Sequence, residues 1–527
     1  MALIDVNRPA EEAVTSPGTP TRPAPWRYTT RGIAFRLFFT CWLIYSLHVA
    51  TNTVRELYLA LAIGDHLSFR VDDYGGIHPD LFQLPDRGWH IGNNPGASML
   101  AAIPYTLARP VIDRVVDRVN RQRAASGQQP PAYESPWPMA QRFYQEAWRR
   151  GLDVKFGLAA IVMQVFCMAP ISALAVVGMF YLLRLLLESD RWAFWAAILY
   201  AFGTPVFLRT GYINQNLLLG HIAFFGFLAL WNPSGSACCS LRLRHVLGGL
   251  SGGAAVLMDY SGVVFLLGLA SYALARRLRQ SSMVEAVRLG GWYMAGAAGP
   301  ILLLWFYQWQ SFGNPFYPGQ HYMPPVAWIE RGYRGVSGPQ LELLWSLAFD
   351  YRFGLFVSCP MMLLALAAPW ARRRFPRLPA LELAFLLGIS AALWIFFSSV
   401  NYSRLQFNTG IRYLAPLFPF LFVPAVMALA RLPRMAVYLT GVLSIGLGWC
   451  LAMYRDVERG LGVLECVLQI VFGGLRLPLL TVLSRMDAMN AYFPAGPSPL
   501  PLMLLAAAIV YGIWKLSPGG AGEEKDA

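Results

Sequence analysis

The stretch GIAFRLFFTCWLIYSLHVA, residues 32 to 50, decides the fold class of this chain. It contains one arginine and no acidic residue. Its length matches the roughly 20 mostly apolar residues that a helix needs to cross a bilayer. The sequence therefore predicts a transmembrane helix here, which acts as an uncleaved anchor.

Further stretches of similar character follow along the chain. They lie at 157–184, 192–209, 217–231, 246–258, 261–275, 289–309, 355–370, 380–399, 413–430, 436–453 and 499–516. Residues 246–275 fit either one oblique helix or two short helices that break at MDYSG. Two helices are favoured, because a single crossing would reverse the sidedness of every later loop. The prediction is an all-α polytopic membrane protein with about twelve transmembrane helices.

The composition agrees with a membrane protein. Of the 527 residues, 56% are hydrophobic and 14% are charged, whereas a soluble domain carries about 25% charged residues. The predicted membrane body spans 32–516, between cytoplasmic tails at 1–31 and 517–527. The first tail is rich in proline and lacks an apolar core, so it is predicted to be disordered rather than a signal peptide.

Charge and cysteine content exclude some classes of function. The formal charge is +14, and nearly all the basic residues are arginines. Arginines beside membrane spans are expected, so this charge does not indicate nucleic-acid binding. The seven cysteines show no C-x-x-C spacing, which gives no support to a metal centre or a disulfide framework.

Short arginine-rich connections set the predicted orientation. In the twelve-helix topology they all fall on one face, which the positive-inside rule assigns to the cytoplasm: LRLR (241–244), RRLR (276–279), RRRFPR (372–377) and RLPR (431–434). The long connections fall on the other face, towards the exterior or periplasm: 51–155, 310–352, 400–412 and 454–498.

Two segments of the first exterior loop are predicted to be interfacial helices. TVRELYLALAIGDHL (53–67) has an apolar stripe but is too polar to span a bilayer. PGASMLAAIPYTLARPVIDRVV (95–116) has a similar juxtamembrane character. A loop packed by such helices can hold a carboxylate at a fixed depth near the lipid headgroups.

Most residues whose side chains could take part in catalysis or binding fall on the predicted exterior face. They are Asp72, Asp73, His78, Asp80, Asn93, Asn94, Asn214, His221, Asp259, His321, Arg352, Arg404 and Arg412. The orientation was set without them, so their grouping indicates one exterior site. Asp72 and Asp73 form a carboxylate pair in which like charges can raise one pKa towards that of a general base. The plain alternative is that both are solvated loop acids.

A family pattern is visible around this pair. VDDY (71–74), followed by GWHIGNNPGASMLAAIPY (88–105), resembles the first exterior loop of GT-C glycosyltransferases. These polytopic enzymes include protein O-mannosyltransferases and the lipid A aminoarabinose transferase. Other stretches are similar to the bacterial branch of unassigned specificity: GTPVFLRTGYINQNLLLGH (203–221), AVLMDYSGVVFLL (255–267), WFYQWQSFGNPFYPG (305–319), DYRFGLFVSCPMMLLAL (350–366) and FNTGIRYLAPLFPFL (407–421).

The resemblance implies a GT-C-like fold and a reaction. Members transfer a sugar, with inversion, from a polyprenyl-phosphate donor to a glycan, lipid or protein acceptor on the exterior face of the bacterial inner membrane. Asp72 would be the catalytic base, and Asp73 would tune it or bind the acceptor. Several relatives have a lysine where this chain has Asn94, so another residue must supply the cation for the phosphate.

The remaining site residues are predicted to bind substrate. Arg412 is the first candidate for the phosphate, followed by Arg404 and Arg352, because a guanidinium makes paired charge-assisted hydrogen bonds. The alternative for each is an arginine that snorkels at a helix end. Further binding candidates are His221, Asp259, Tyr260, Asn94 and Tyr74.

Asp259 and the histidines carry their own alternatives. An aspartate in hydrocarbon would cost about 2.5 to 3.5 kcal/mol, which favours a cavity for Asp259, although a surface turn is also possible. His221 can equally be a satisfied interfacial histidine. His78 with Asp80, and His321, lack a spacing that favours a divalent metal. No cofactor is therefore expected.

Three other functions compete with the transferase. A transporter or flippase predicts internal repeats and charges at mid-depth in the membrane, whereas the polar candidates here gather at one face. A polymerase or ligase of lipid-linked glycans has similar chemistry, which the sequence does not separate. An inactive relative that serves as an assembly subunit is the third.

Overall fold

The fold was obtained as a computed structural model. It describes residues 28–50, 54–133, 138–235, 239–325, 330–375, 377–405, 409–454, 462–486 and 498–515. The two tails predicted from the sequence are 1–31 and 517–527. Residues 1–27 of the first tail and all of the second lie outside the described residues.

The described part of the chain is almost entirely helical. Its α-helices are α1 Thr30–Leu47, α2 Arg55–His66, α3 Gly96–Ser126, α4 Pro138–Arg149, α5 Asp153–Met163, α6 Ala169–Leu187, α7 Asp190–Phe202, α8 Val206–Thr210, α9 Gln215–Trp231, α10 Leu241–Met258, α11 Gly262–Leu278, α12 Met283–Phe312, α13 Leu341–Phe349, α14 Leu355–Ser358, α15 Ala368–Ala371, α16 Ala380–Ser398, α17 Phe418–Leu429, α18 Arg434–Met453, α19 Val463–Gly473, α20 Pro478–Ser484 and α21 Leu500–Lys515. A short antiparallel hairpin pairs β1 Leu81–Leu84 with β2 Gly88–Ile91.

Several of these helices can cross a membrane. Within the described ranges, four segments are long and apolar enough: Asp153–Leu187, α12, α16 and α18. A fifth is possible if α19 and α20, which are bent by 73° to each other, count as one broken span. Helical segments also occupy the other predicted spans, but several are short. The protein is a helical membrane protein, and the count of twelve spans stays a prediction.

The ambiguous stretch at 246–275 forms two helices. α10 ends at Met258 and α11 begins at Gly262. Gly262 lies against Ala255, and Gly252 lies against Leu266, so the two helices fold back on each other as an antiparallel hairpin. The hairpin places Asp259 at its tip.

Glycines allow α10 to pack closely on α12. A Cβ on Gly249 would overlap the carbonyl oxygen of Tyr293, and one on Gly296 would overlap that of Val246. Residues without a Cβ allow two helix backbones to approach closely, as small residues do throughout membrane proteins. This contact fixes the hairpin against the longest apolar helix of the α9–α12 region.

The described part of the connection between α1 and α5 is packed together. In α2, residues 57 to 62 are all buried, so this predicted interfacial helix is enclosed by other parts of the chain. α3 instead presents an exposed apolar stripe at i, i+4 spacing, formed by Ile103, Leu107, Val111 and Val115. At the end of α2, the buried carboxylate of Asp65 pairs with Lys155 at 2.8 Å and so ties α2 to α5.

Candidate functional site

Four helices begin at one place in the structure. The first residues of α2, α3, α9 and α11 are brought together there by hydrogen bonds between polar side chains. Asn93, just before α3, donates to Glu56 at 2.7 Å and to Gln215 at 2.9 Å. Gln215, the first residue of α9, donates to the Asp259 carboxylate at 2.8 Å. The N-terminal ends of these helices, which carry partial positive charge, therefore converge.

Charged groups extend this arrangement. Arg55 Nη1 donates to Asp80 Oδ2 at 3.0 Å, and Arg55 Nε lies 3.5 Å from Glu56 Oε1. We call Arg55, Glu56, Asp80, Asn93, Gln215 and Asp259 the polar network. Arg412 lies beside it, close enough for its charge to interact with those of Arg55, Glu56 and Asp80.

The network is enclosed by protein, but water still reaches part of it. The side chain of Arg55 is 18% exposed and that of Asp80 is 42% exposed. Asp259 and Arg412 are also partly exposed, although each is surrounded by other parts of the chain. Groups that are both surrounded and partly exposed line a recess. In contrast, Glu56 is almost completely buried.

Asp80 and Asp259, the two partly exposed carboxylates of the network, have different acidities. Burial acts to raise the pKa of Asp80, but Arg55, His78 and Arg412 together hold it below its ordinary value. Burial raises the pKa of Asp259, and hydrogen bonds from Ser261 and the charge of Arg55 offset this only in part. Asp80 is therefore the more firmly ionised of the two.

The network lies at the helix ends opposite the arginine-rich connections. α10 runs from LRLR at 241–244 to Asp259, and α11 returns from there to RRLR at 276–279. α17 follows Arg412 and ends before RLPR at 431–434. Asp259 and Arg412 thus lie at the helix ends away from the arginine-rich connections, and the assignment of those ends to the exterior face stays a prediction.

The structure brings some of the predicted site residues to the network. Asp259 belongs to it and Arg412 lies beside it. Tyr260 is next to Asp259, and its hydroxyl accepts a hydrogen bond from Gln308. Asn94 is buried and donates to the Val256 carbonyl at 2.6 Å, which joins the start of α3 to α10.

The predicted carboxylate pair lies elsewhere. Asp72 is exposed; its Oδ1 accepts from the Trp89 backbone N–H at 2.7 Å and its Oδ2 pairs with Arg70 at 2.6 Å. Asp73 is exposed and lies 3.0 Å from His66 Nε2. Oδ1 of Asp72 thus bonds to strand β2 of the hairpin, and Oδ2 pairs with Arg70 just before it in the chain. No contact joins either residue to the polar network among the described residues.

Four other predicted binding residues make separate contacts. Arg404 pairs with Glu342 at 2.8 Å, and Arg352 pairs with Asp350 at 3.1 Å. His221 is fully buried in α9 within 3.2 Å of the Ser172 hydroxyl. Tyr74 donates to Asp65 at 3.2 Å. Their roles in binding stay predictions.

Sequence reasoning missed the residues that hold the network together. Arg55 and Glu56 were interpreted only as the polar side of an amphipathic helix, and Gln215 was not singled out. One signal was available, because charged residues within an otherwise apolar segment are expensive unless paired. Arg55 and Glu56 directly follow the first predicted span, where such a pair needs partners.

No group of three or more histidine, cysteine, aspartate or glutamate side chains suited to a metal ion is present in the described part of the chain. The expectation that no cofactor is used is untested.

No protein-family model matches this chain, and no curated protein matches it. The structure is similar to the crystal structure of ArnT from Cupriavidus metallidurans in the apo state. The TM-score is 0.47 and the sequence identity is 12%, over 92% of this chain and 76% of that chain. A likeness at this level does not establish a shared family or activity.

Proposed function

We propose that this chain is an integral membrane glycosyltransferase of the GT-C type. It moves a sugar from a polyprenyl-phosphate donor to a glycan, lipid or protein acceptor on the exterior face of the bacterial inner membrane. One observation carries the proposal: carboxylates and arginines share a water-accessible recess at one end of a helical membrane body. Such a transfer needs both a general base for the acceptor hydroxyl and cations for the departing phosphate.

In this proposal Asp80 is the general base. Its Oδ2 accepts from Arg55, while its Oδ1 accepts no hydrogen bond from the described residues. The side chain is 42% exposed, so an acceptor hydroxyl can reach it. Asp259 is less suited to this step, because Gln215 and the Ser261 backbone N–H already occupy both of its oxygens.

Arg412 is the proposed phosphate ligand. It is partly exposed beside the network, and a guanidinium can bind two phosphate oxygens at once. The converging helix N-termini add partial positive charge at the same place. Together these groups take over the role that a lysine has in several GT-C enzymes.

Asp72 stays an alternative base, on the resemblance alone. Its Oδ1 accepts from the Trp89 backbone N–H and its Oδ2 pairs with Arg70, and the described residues show no contact between it and an arginine of the network. A base in that position would lie apart from the proposed phosphate ligand. We therefore propose Asp80 ahead of Asp72, and a comparison of the two variants decides between them.

The function is tested with purified protein in proteoliposomes. A panel of radiolabelled polyprenyl-phosphate sugars is supplied with a cell-envelope extract as acceptor, and transfer of label is measured. Arg412→Gln should reduce transfer by about 100-fold or more, as loss of a preorganised charge-stabilising donor does. The matched control is Arg377→Gln, which removes an exposed arginine paired with Glu188 in an arginine-rich connection away from the network and should retain most of the activity.

Other outcomes point to the competing functions. Label that accumulates inside empty vesicles without transfer would replace the transferase with a transporter. Transfer of whole lipid-linked glycans, with single sugars inert, would make the protein a polymerase or ligase. Equal activity of wild type and Arg412→Gln would remove Arg412 from the proposed site.

A further inference from the structure

A fully buried arginine lies directly behind the site. Arg209, in α8, is 0% exposed and is the largest fully buried side chain among the described residues. Its Nε donates to the Ile411 carbonyl at 2.9 Å, and its Nη2 donates to the Gly410 carbonyl at 2.6 Å and the Thr409 carbonyl at 3.3 Å. Three consecutive carbonyl groups thus point at one guanidinium.

No acidic side chain pairs with Arg209 within the described ranges. Its other bond is to the Tyr212 hydroxyl at 2.8 Å, and the nearest charge to affect it is that of Arg412. An uncompensated buried cation is costly unless dipoles replace its hydration. The aligned carbonyls provide those dipoles, so the cation and the backbone of 409–411 depend on each other.

The carbonyl of Ile411 belongs to the peptide bond that leads into Arg412. The bond from Arg209 Nε therefore fixes the peptide plane from which the Arg412 side chain departs. The same segment is held from its other side, because the Gly410 N–H donates to the Arg352 carbonyl and the Ile411 N–H donates to the Ser358 hydroxyl. Gly410 has a φ of +76°, which permits the sharp turn that these bonds require.

Arg209 also reaches the other wall of the site. Tyr212 accepts a second hydrogen bond, from Asn214 at 2.9 Å. Asn214 caps α9 through the Leu217 N–H, and the first residue of α9 is Gln215, which holds Asp259. The Arg209 guanidinium therefore binds the segment that carries Arg412 directly. It is also linked, through Tyr212 and Asn214, to the start of α9, which carries Gln215.

We infer that Arg209 is a positioning residue, which sets the place and direction of Arg412 for a lipid-linked phosphate without touching the substrate. This inference rests on the proposed function of the same site. Charge alone is insufficient for the role, because an ammonium is a compact point charge and cannot span three carbonyls and a hydroxyl in one plane. Arg209→Lys keeps the charge and loses this geometry.

The experiment compares Arg209→Lys with a matched control. Arg109→Lys alters another arginine that binds backbone carbonyls, those of Gly64 and Asp65. These residues lie at the far end of α2, roughly 15 Å along the helix from the network by the helical rise. Farnesyl phosphate is the binding probe, measured with detergent-purified protein, and the KM for a polyprenyl-phosphate sugar and kcat are measured alongside.

The expected result is a specific loss of phosphate recognition. Arg209→Lys should elute as a folded monodisperse protein and bind farnesyl phosphate about tenfold more weakly, with a matching rise in KM for the donor. Arg109→Lys should bind like wild type. A general loosening of the fold would instead lower the thermal midpoint and leave affinity per folded molecule unchanged, and that result would overturn the inference.

A second variant covers the case in which Arg209→Lys does not fold. Tyr212→Phe removes one acceptor from Arg209 and keeps every charge, and it should weaken farnesyl phosphate binding about threefold or more. Unchanged binding by this variant would reject the positioning role. If wild type neither binds farnesyl phosphate nor transfers sugar, the proposed function itself fails and the positioning role fails with it. If wild type and Arg209→Lys are both fully active, the positioning role is rejected and the proposed function stands.

Discussion

Asp80 is the proposed general base, so the proposed reaction depends on its carboxylate. Its carboxylate lies between Arg55, at 3.0 Å, and solvent. Although burial opposes ionisation, Arg55, His78 and Arg412 keep its pKa below the ordinary value. A base of this kind is ready to accept a proton at neutral pH, at the cost of weaker intrinsic basicity.

Replacement of Asp80 separates the two candidate bases. Asp80→Asn should lower the transfer rate by about 100-fold or more, the usual contribution of a general base. Asp72→Asn should leave most of the rate intact, since Asp72 is tied to Arg70 and Trp89. Transfer of label per folded molecule is the measurement. A dead Asp72→Asn beside an active Asp80→Asn would restore the base implied by the resemblance.

The pH dependence gives an independent check on the base. A carboxylate base is active when ionised, so the rate falls as pH falls through its pKa. Because the pKa of Asp80 lies below its ordinary value of 3.8, the rate should show no acid limb from this group between about pH 5 and 7. Asp259, whose pKa is raised, would as base shift the limb upward. A limb in that range that disappears in Asp259→Asn would name Asp259 as the base.

At this scale the proposals from sequence and from structure share Arg412 and Asp259 but differ in the base. Both residues are conspicuous in the sequence, because each is a charged residue at the end of an apolar segment. Asp72 was preferred over Asp80 because a local motif says nothing about which other loops will lie against it. That depends on the β1–β2 hairpin, which engages Asp72, and on the side chain of Arg55, which reaches Asp80.

Among the helix pairs, α10 and α12 approach closely because glycines, which have no side chain, lie at their contact. Gly249→Ala would place a methyl group on the Tyr293 carbonyl oxygen, and a backbone atom cannot move aside as a side-chain tip can. The variant should lower the thermal midpoint of unfolding in detergent by several degrees. Gly299→Ala, in the partner helix α12 and with open space around the new Cβ, is the matched control and should be neutral. Equal thermal midpoints for Gly249→Ala and Gly299→Ala would show that this contact does not stabilise the packing of α10 on α12.

We expect the exposed stripe of α3 to lie in the membrane interface. Leu107 is 80% exposed, and Ile103 and Val111 flank it one turn away on each side. We expect a tryptophan in Leu107→Trp to be quenched by brominated lipids, because amphipathic helices bury such stripes below the headgroups. A tryptophan in Thr106→Trp, an exposed position about 100° around the helix from Leu107, should be quenched less. Quenching that is equal at both positions would place α3 away from the bilayer.

Apolar runs located the helices well, but their continuity was less predictable. Residues 355–370 were predicted as one span and instead form α14, a 3-10 segment at Pro360–Ala367 and α15. Proline lacks a backbone N–H and interrupts a helix, and Pro360 and Pro369 lie at these junctions. Hydropathy does not register this interruption, which is why the number of spans is harder to predict than their positions.

On the scale of the whole molecule, the polar network and the arginine-rich connections occupy opposite ends of the same helices. This separation is what the predicted orientation, with a cytoplasmic basic face and an exterior site, requires. Charge patterning can predict such a separation without any knowledge of the contacts within the network. Only the folded chain brings together residues as distant in sequence as Arg55, Gln215 and Arg412.

Photo-crosslinking tests the central claim that a lipid-linked phosphate binds at this network. The probe is a farnesyl phosphate that carries a diazirine on the isoprene unit next to the phosphate. After illumination in proteoliposomes, adducts should map to peptides that contain Arg55, Asp80 or Arg412, and excess polyprenyl phosphate should compete them away. Competed adducts confined to the arginine-rich connections at 241–244, 276–279 or 372–374 would contradict the account, because the phosphate would then bind at the opposite end of the helices.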